Sequence, residues 1–427
     1  MRSLLWIVVF VMVSIRFSTS QNFSDANYEI VQNGVLNLGL KLNSILSENN
    51  VENKNILFSP LNIYTILSLL HLASNGSTRD EIASVLGIPA TYSTYTFHQA
   101  LKTLSLEAQN SSGFESSLKS DLKPETKASN LSLANGIFVQ KGIDIKKTYV
   151  EDAQRYYNGE ILDVDFSRDN KQAQNTINKY IANKTENQIT ELLKEPPSQS
   201  TILMLTSSLN FKANWLEIFP EVLTKPEIFH ASHGNITVQM MSNLFSNVSY
   251  AKIPSLGVEA VELKYVDKLF SMYIVLPNTN RPLKQFLRDL NTEAINKIIN
   301  EIGKSDKADN KLKVGFKLPK TAFKWSQSIK NQLISLGLAD KQVFQSPDLA
   351  NMIDGRNIQV SDISHGADIK INEFGTEASA ASAAKVMKKS GGDSVVFHVD
   401  RPFFFFIFNR KINTVLFFGT VYDPNMK

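Results

Sequence analysis

The stretch EFGTEASAASAAKVMKKS, residues 373–390, constrains this chain more than any other part of it. If it is a strand, successive side chains point to opposite faces, so Thr376, Ala378, Ala380, Ser382 and Ala384 share one face and none is larger than Thr. The other face holds Glu377, Ser379, Ala381, Ala383 and Lys385, so both charges fall on the side that can stay in water. Strand propensity here is poor, and no bulky apolar group precedes Val386 to hold the segment down. The pattern therefore describes an exposed loop that can become a strand: its small side chains let it slide between existing strands, where backbone hydrogen bonds supply the gain. The competing readings are an Ala/Ser linker or a short Ala-rich helix.

A chain that takes in such a strand needs a large sheet, and the length permits one. It has 427 residues, 43% of them hydrophobic and 20% charged, enough for one large domain or two ordinary ones. Met1–Ser20 opens with Arg2, continues through an apolar run from Leu4 to Ile15 and ends in small residues at Ser18 and Ser20. This is the form of a secretory signal cut before Gln21, and its apolar run is too short to cross a bilayer. Without Arg2 and Arg16 the formal charge falls from +4 to +2, which gives no case for nucleic acid as a partner, and no later run suits a membrane. There is no Cys, which excludes disulfides and thiolate metal sites, so stability must come from the core. Sequons at Asn22, Asn75, Asn110, Asn130, Asn183, Asn235 and Asn247 suit a secreted glycoprotein, with Asn75 and Asn110 in the most loop-like sequence.

Along the mature chain, Tyr28 to Ser47 reads as a helix interrupted by Gly34 and Gly39. Asn55–Pro60 leads into an apolar run from Leu61 to Ala73, with Ser59 as N-cap and Pro60 in the first turn of a buried helix. A polar, Ser-rich loop is expected between Asn110 and Ser129, and strands begin at Leu131. Pro196-Pro197 should close a helical stretch before the β-rich run from Thr201 to Phe211. Ala260–Pro277 reads as two strands about a polar turn, with Met240-Met241 on the strand before them. Helix resumes over Pro282–Ile302 and Ile329–Leu336, Ile358–Ile371 feeds the opening stretch, and DRPFFFFIF and TVLFFGTVYDP give two packed terminal strands.

Several of these segments resemble the serpin family in wording and in order. Glu373, Gly375, Thr376, Glu377 and Ala378 match the hinge form Glu-x-Gly-Thr-Glu-Ala, followed by small residues at Ser379, Ala380 and Ala381. NILFSPLNIYTILSLLHLASNG resembles the strand and buried helix behind the main sheet, with Asn62 where Ser is common. DEIASVLG, Ala134-Asn135 with Ile137-Phe138, and Phe211, Lys212, Trp215 and Phe219 also fit, while Ser207 stands where Asn is usual. The resemblance covers about Asn55 to Pro424. It implies one serpin domain over 21–427 of mixed α+β class, with three β-sheets, about nine helices and an exposed reactive-centre loop at about 373–400.

The resemblance also implies a function. Fourteen residues beyond Gly375 lies Lys389, so the bond presented to a protease is Lys389–Ser390, with Lys388 as the neighbouring alternative. A Lys there suits an extracellular trypsin-like serine protease, whose specificity pocket ends in a carboxylate. Cleavage forms an acyl-enzyme, the hinge inserts as a new central strand, and the attached protease is distorted before it can deacylate. The small inward face favours an inhibitor over the alternative, a non-inhibitory secreted binding or storage protein whose loop is only cleaved. Phe374 departs from the charged residue common beside the hinge Gly and bears on insertion rate. Trp215, Ser59 and His365 are implied as structural residues of the breach and the shutter, the places where the main sheet parts. No cofactor is expected. A glycosaminoglycan has little to bind, since Tyr95–Gln109 carries only His98 and Lys102, and Lys141, Lys146 and Lys147 form a weak cluster. No nucleophile elbow or phosphate loop supports an enzyme, and His230-x-x-His233 lacks a third metal ligand nearby. The expectation is a secreted, extracellular, monomeric inhibitor.

Overall fold

A computed structural model describes residues 22–109, 129–246, 248–306, 313–354, 358–376 and 394–426. The first part is helical: α1 (Asn22–Asn49), α2 (Pro60–Ala73), α3 (Gly76–Leu86) and α4 (Thr94–Gln109), with the short strand β1 (Ile56–Phe58) between α1 and α2. Strands and helices then alternate through β2 (Asn130–Gln140), α5 (Lys147–Tyr157), β3 (Glu160–Val164), α6 (Asn170–Lys184) and β4 (Leu203–Asn214). Five strands follow, β5 (Lys225–Ala231), β6 (Gly234–Phe245), β7 (Ser249–Ile253), β8 (Val258–Lys264) and β9 (Phe270–Pro277), then helices α7 (Leu283–Asp289) and α8 (Thr292–Asp306). The last part holds β10 (Lys313–Pro319), β11 (Thr321–Ser328), α9 (Lys330–Ser335), β12 (Val360–Ile371), β13 (Gly375–Thr376), β14 (Ser394–His398), β15 (Phe403–Asn409) and β16 (Thr414–Val421). Among the described residues that makes nine α-helices and three sheets, the mixed α+β class expected.

Helix α2 organises the interior. Pro60 occupies its first turn, and the Ser59 hydroxyl accepts the Asn62 amide hydrogen at 3.1 Å, satisfying a donor that the helix start leaves open. The helix is buried on all sides, and its hydroxyls are satisfied locally: Thr65 donates to the Leu61 carbonyl, Ser68 to Tyr64 and Ser74 to Leu70. Gly34 and Gly39 do not interrupt α1, which runs unbroken. They are contact points: a Cβ on Gly34 would lie 2.6 Å from the Leu86 carbonyl and the Tyr64 hydroxyl, and one on Gly39 would lie 2.7 Å from Pro60. What reads as a helix breaker is where α1 meets α2 and α3 closely.

The main sheet has the order β11-β12-β13-β4-β2-β3, and two further sheets run β1-β16-β15-β9-β8-β7 and β14-β10-β6-β5. On one side the main sheet packs on the large core that includes α2 and the phenylalanines of β15 and β16; on the other, Phe138 and Met204 meet Ile177 and Ile181 of α6. Three local expectations need correction. Helix α6 ends at Lys184, so Pro196-Pro197 lie within the irregular segment between α6 and β4 and close no helix. Pro282–Ile302 is two helices, because the chain is extended at Leu290. Strand β7 intervenes between Met240-Met241 and the β8–β9 pair.

Candidate functional site: the parted end of the main sheet

Strands β12 and β4 lie side by side and parallel from Val360 opposite Leu203 to Ala367 opposite Leu209. Beyond that point they part, and β13 enters between them antiparallel to both, with Thr376 opposite Ile371 on one side and Ala213 on the other. The Gly375 position is set by this wedge, since a Cβ there would sit 2.0 Å from the Ala213 carbonyl oxygen. A turn feeds the wedge: the Asn372 side-chain oxygen accepts the amide hydrogens of Phe374 at 2.9 Å and Gly375 at 3.1 Å, and the Asn372 amide donates to the Gly375 carbonyl at 3.0 Å.

Trp215 locks that turn from below. Its ring N–H donates to the Asn372 carbonyl at 3.0 Å and its backbone N–H to the Phe374 carbonyl at 2.8 Å. The indole stacks on Tyr265 at 4.6 Å between ring centroids, and the Tyr265 hydroxyl shares a 2.8 Å hydrogen bond with Thr376. Phe374 thus meets Trp215 through its backbone, with its side chain half-buried. Glu373 is only 3% exposed, and Lys320 pairs with it at 2.8 Å while the Thr224 hydroxyl donates to it at 2.8 Å. Burial alone would raise the Glu373 carboxyl; the bonds from Lys320, from its own backbone amide and from Thr224 outweigh burial and hold it below the usual carboxylate range.

A second set of bonds crosses the closed part of the sheet. His365 on β12 lies directly opposite Ser207 on β4, and its Nδ1 is 2.7 Å from the Ser207 hydroxyl. Its Nε2 accepts the Ser59 amide hydrogen at 3.0 Å, so the ring is neutral with its proton on Nδ1, donated to Ser207. Complete burial pushes the imidazole down to about 3. Beneath it the Asn62 amide is fully buried with neither polar atom hydrogen-bonded. The two departures from the usual residues, Asn62 and Ser207, thus leave His365 bonded and an amide unsatisfied.

The profile described as Serpin (serine protease inhibitor) matches residues 33–424. The chain belongs to the serpin family. It is similar to leukocyte elastase inhibitor of Xenopus tropicalis, 29% identical over 89% of this chain and 95% of that one, and to intracellular coagulation inhibitor 2 of Tachypleus tridentatus, 29% identical over 97% of both. Among solved structures, human glycosylated kallistatin superposes with a TM-score of 0.80 at 22% identity, covering 93% of this chain and 99% of that one. Human thyroxine-binding globulin, crystallised with thyroxine, gives a TM-score of 0.79 at 21% identity over the same shares. These two likenesses speak to the fold.

In this serpin the sequence-derived site residues Glu373, Gly375, Thr376 and Trp215 come together at the parted end of the sheet, and Ser59 and His365 meet lower down. Glu377, Ala378, Ser379, Ala380 and Ala381, the basic pair Lys388 and Lys389, and Ser390 lie outside the described residues, as do Met1–Ser20 and the sequons Asn110 and Asn247. The Asn22 side chain is also outside them. Asn75, Asn183 and Asn235 are exposed, whereas Asn130 lies in β2 with its amide donating to Glu186. Sequence reasoning missed Lys320, Thr224, Tyr265 and Asn372, which are remote in sequence or carry no motif.

Other sequence candidates dissolve into ordinary packing. His98 is buried, with its Nδ1 against the Tyr157 hydroxyl and its Nε2 3.4 Å from His71, which leaves Lys102 alone on that stretch of α4. Lys146 pairs with Asp354 and Lys147 with Glu151. His230 and His233 flank a β5–β6 turn, contacting Asn235 and Asp423 respectively, and no group of three metal-binding side chains exists among the described residues.

Proposed function

We propose that this serpin is a secreted suicide-substrate inhibitor of extracellular trypsin-like serine proteases, cleaved at Lys389–Ser390. The protease serine attacks the Lys389 carbonyl, the Ser390 amine leaves, and an acyl ester joins Lys389 to the enzyme. The Lys389 side chain supplies the cation for the carboxylate of a trypsin-like pocket. Once the loop is cut, the chain beyond Thr376 continues the path that β13 has begun, drawing the attached protease along the sheet before water can hydrolyse the ester.

The observation that carries this reading is the wedge of Gly375–Thr376 between β12 and β4. A strand continuing in that direction is antiparallel to both neighbours, so it replaces one parallel interface with two antiparallel ones, which are the more stable pairing per residue. Inhibitory names among the relatives, elastase inhibitor and coagulation inhibitor, agree with it. The signal-like Met1–Ser20 and the exposed Asn75, Asn183 and Asn235 support export and glycosylation. The likeness to thyroxine-binding globulin keeps the non-inhibitory alternative as a defined outcome.

The test mixes the mature glycosylated protein with catalytic and then equimolar trypsin, followed by a denaturing gel and sequencing of the new amino terminus. A denaturant-stable complex and a released peptide starting at Ser390 are expected. A start at Lys389 would move the reactive residue to Lys388. Clean cleavage with trypsin still active, and no gain in heat stability, would assign the non-inhibitory role.

A further inference from the structure

Strand β14 is held to the molecule by little. It lies at the edge of its sheet, and its one partner strand among the described residues is β10, which it meets in parallel from Ser394 opposite Lys313 to His398 opposite Lys317. Parallel pairing is slightly less stable per residue than antiparallel. Of the five side chains of β14 only Phe397 is fully buried, against Phe316 and Tyr250, while Val396 is 69% exposed.

His398 ends this weakly held strand, and the charges around it are already matched. On β5 the Glu227 carboxylate accepts from the Lys317 ammonium at 2.7 and 2.8 Å. In the segment after β14, Arg401 pairs with Asp400 at 2.8 Å. The half-buried ring stands between these two pairs, with Nε2 3.4 Å from a Glu227 oxygen and Nδ1 4.0 Å from Asp400. Neither contact is a hydrogen bond: Nε2 is buried without one among the described residues, and 4.0 Å is too long. His230 on β5, whose backbone N–H donates to the Asp400 carbonyl at 2.7 Å, turns its ring to Asn235. Two cations and two carboxylates sum to zero, so a proton on His398 is a fifth and unmatched charge, held partly out of water.

We propose that His398 makes the attachment of β14 acid-sensitive, so that below about pH 6.5 this strand, which follows the segment carrying Lys389–Ser390, leaves β10 more readily than at pH 7.5. Burial is the largest cause holding the attached ring below its ordinary value; the Asp400 and Glu227 carboxylates oppose it, and the Lys317 and Arg401 cations reinforce it. In the released strand the ring is in water and titrates near about 6.5. Above that pH neither form is charged and the equilibrium is unaffected. As pH falls below it, the released form takes up the proton that the attached form resists, and opening rises until the attached ring also charges. Between pH 7.5 and pH 5.5 the ceiling on this rise is about tenfold. The device does not depend on which protease meets the loop.

The experiment follows amide hydrogen exchange of the full-length protein by mass spectrometry at pH 7.5 and pH 5.5, with times corrected for the pH dependence of intrinsic exchange. In wild type, exchange of the β14 amides should rise severalfold on acidification, up to about tenfold, while β15 and β9 stay protected. His398→Gln should abolish the rise. Lys317→Met frees Glu227 to meet the charged ring, so in that variant β14 should open less at pH 5.5 than at pH 7.5. Each variant is compared with itself at two pH values, so a loss of stability common to both cancels. The proposal is overturned by no rise in wild type, by the same rise in His398→Gln, or by a rise in Lys317→Met. An equal rise in β15 also overturns it, because the whole core would then be loosening and not one strand.

Discussion

Three histidines, His71, His98 and His365, are buried as neutral rings, and together they predict an acid-labile protein. Burial is the main cause in each case: it pushes His71 down to about 4 and His98 and His365 down to about 3, with the Arg79 cation lowering both His71 and His98 further. Above pH 6.5 neither the folded nor the unfolded chain charges these rings, and their contribution is fully present. As pH falls below 6.5 the unfolded rings take up protons that the folded ones refuse, so stability drops until the folded values near 3 to 4 are reached. At pH 5 a ring normally titrating near 6.5 has lost about 2 kcal/mol, and His365 alone loses about 4 kcal/mol by pH 3. His71 and His98 share a hydrogen bond and titrate as a pair, so their losses do not simply add.

His365→Gln isolates one share. The variant starts lower at pH 7.5 because it loses the shape of the Ser207–His365–Ser59 chain, so the decisive quantity is the change between pH 7.5 and pH 5.0. Denaturant midpoints with their slopes, converted to free energies, should show the wild type losing about 2 kcal/mol more than the variant over that interval. The window lies above the range in which Glu373, held low by its bonds, takes up its proton, and the buried Asp368 carboxyl, raised mainly by burial, acts in the opposite sense. Equal losses in wild type and variant would refute the claim that a neutral, buried His365 carries this part of the acid response.

Three further perturbations probe the parted end of the sheet and the start of α2. Gly375→Ala puts a methyl 2.0 Å from the Ala213 carbonyl oxygen and should expel β13, costing about 1–3 kcal/mol and exposing Trp215 to water, seen as a red shift in its emission. Glu373→Gln keeps the shape but removes the charge that Lys320 meets, and should cost about 1–3 kcal/mol; combined with Lys320→Met the further loss should be small, a coupling read from a double-mutant cycle. Ser59→Ala removes the N-cap of α2 without touching its backbone bond to His365, and should lower stability by about 1 kcal/mol in thermal or denaturant unfolding.

The parts of this fold that could be read in advance are those with local chemical signatures. Ser59-Pro60 before an apolar run announces a helix start, and Glu373-x-Gly-Thr announces the hinge. Gly34 and Gly39 misled because glycine spacing in a helix reads as weakness when the helix that meets it is out of view. Pro196-Pro197 also misled: the helix before them ends at Lys184, and the chain is irregular on both sides of the prolines until β4 begins at Leu203. Lys320, Thr224 and Tyr265 were invisible for a different reason. Each is an ordinary residue on a separate segment, brought to Glu373 or Thr376 only by the pairing of strands distant in sequence.

Strand β4 shows why the closed sheet is a poised arrangement. A strand buried on both faces is normally a run of large apolar side chains, yet Thr206, Ser207, Ser208 and Asn210 are all fully buried in its middle. Only Ser207 has a side-chain partner; the polar atoms of Thr206, Ser208 and Asn210 have none among the described residues. Each such group left unsatisfied costs about 1–3 kcal/mol, a burden on the closed state that better packing nearby cannot remove. These residues lie on the strand along which β13 has begun to pair. The groups that weaken the sheet as it stands therefore lie in the strand beside β13, while the bonds of Glu373, Trp215, Tyr265 and Asn372 hold β13 at its second residue.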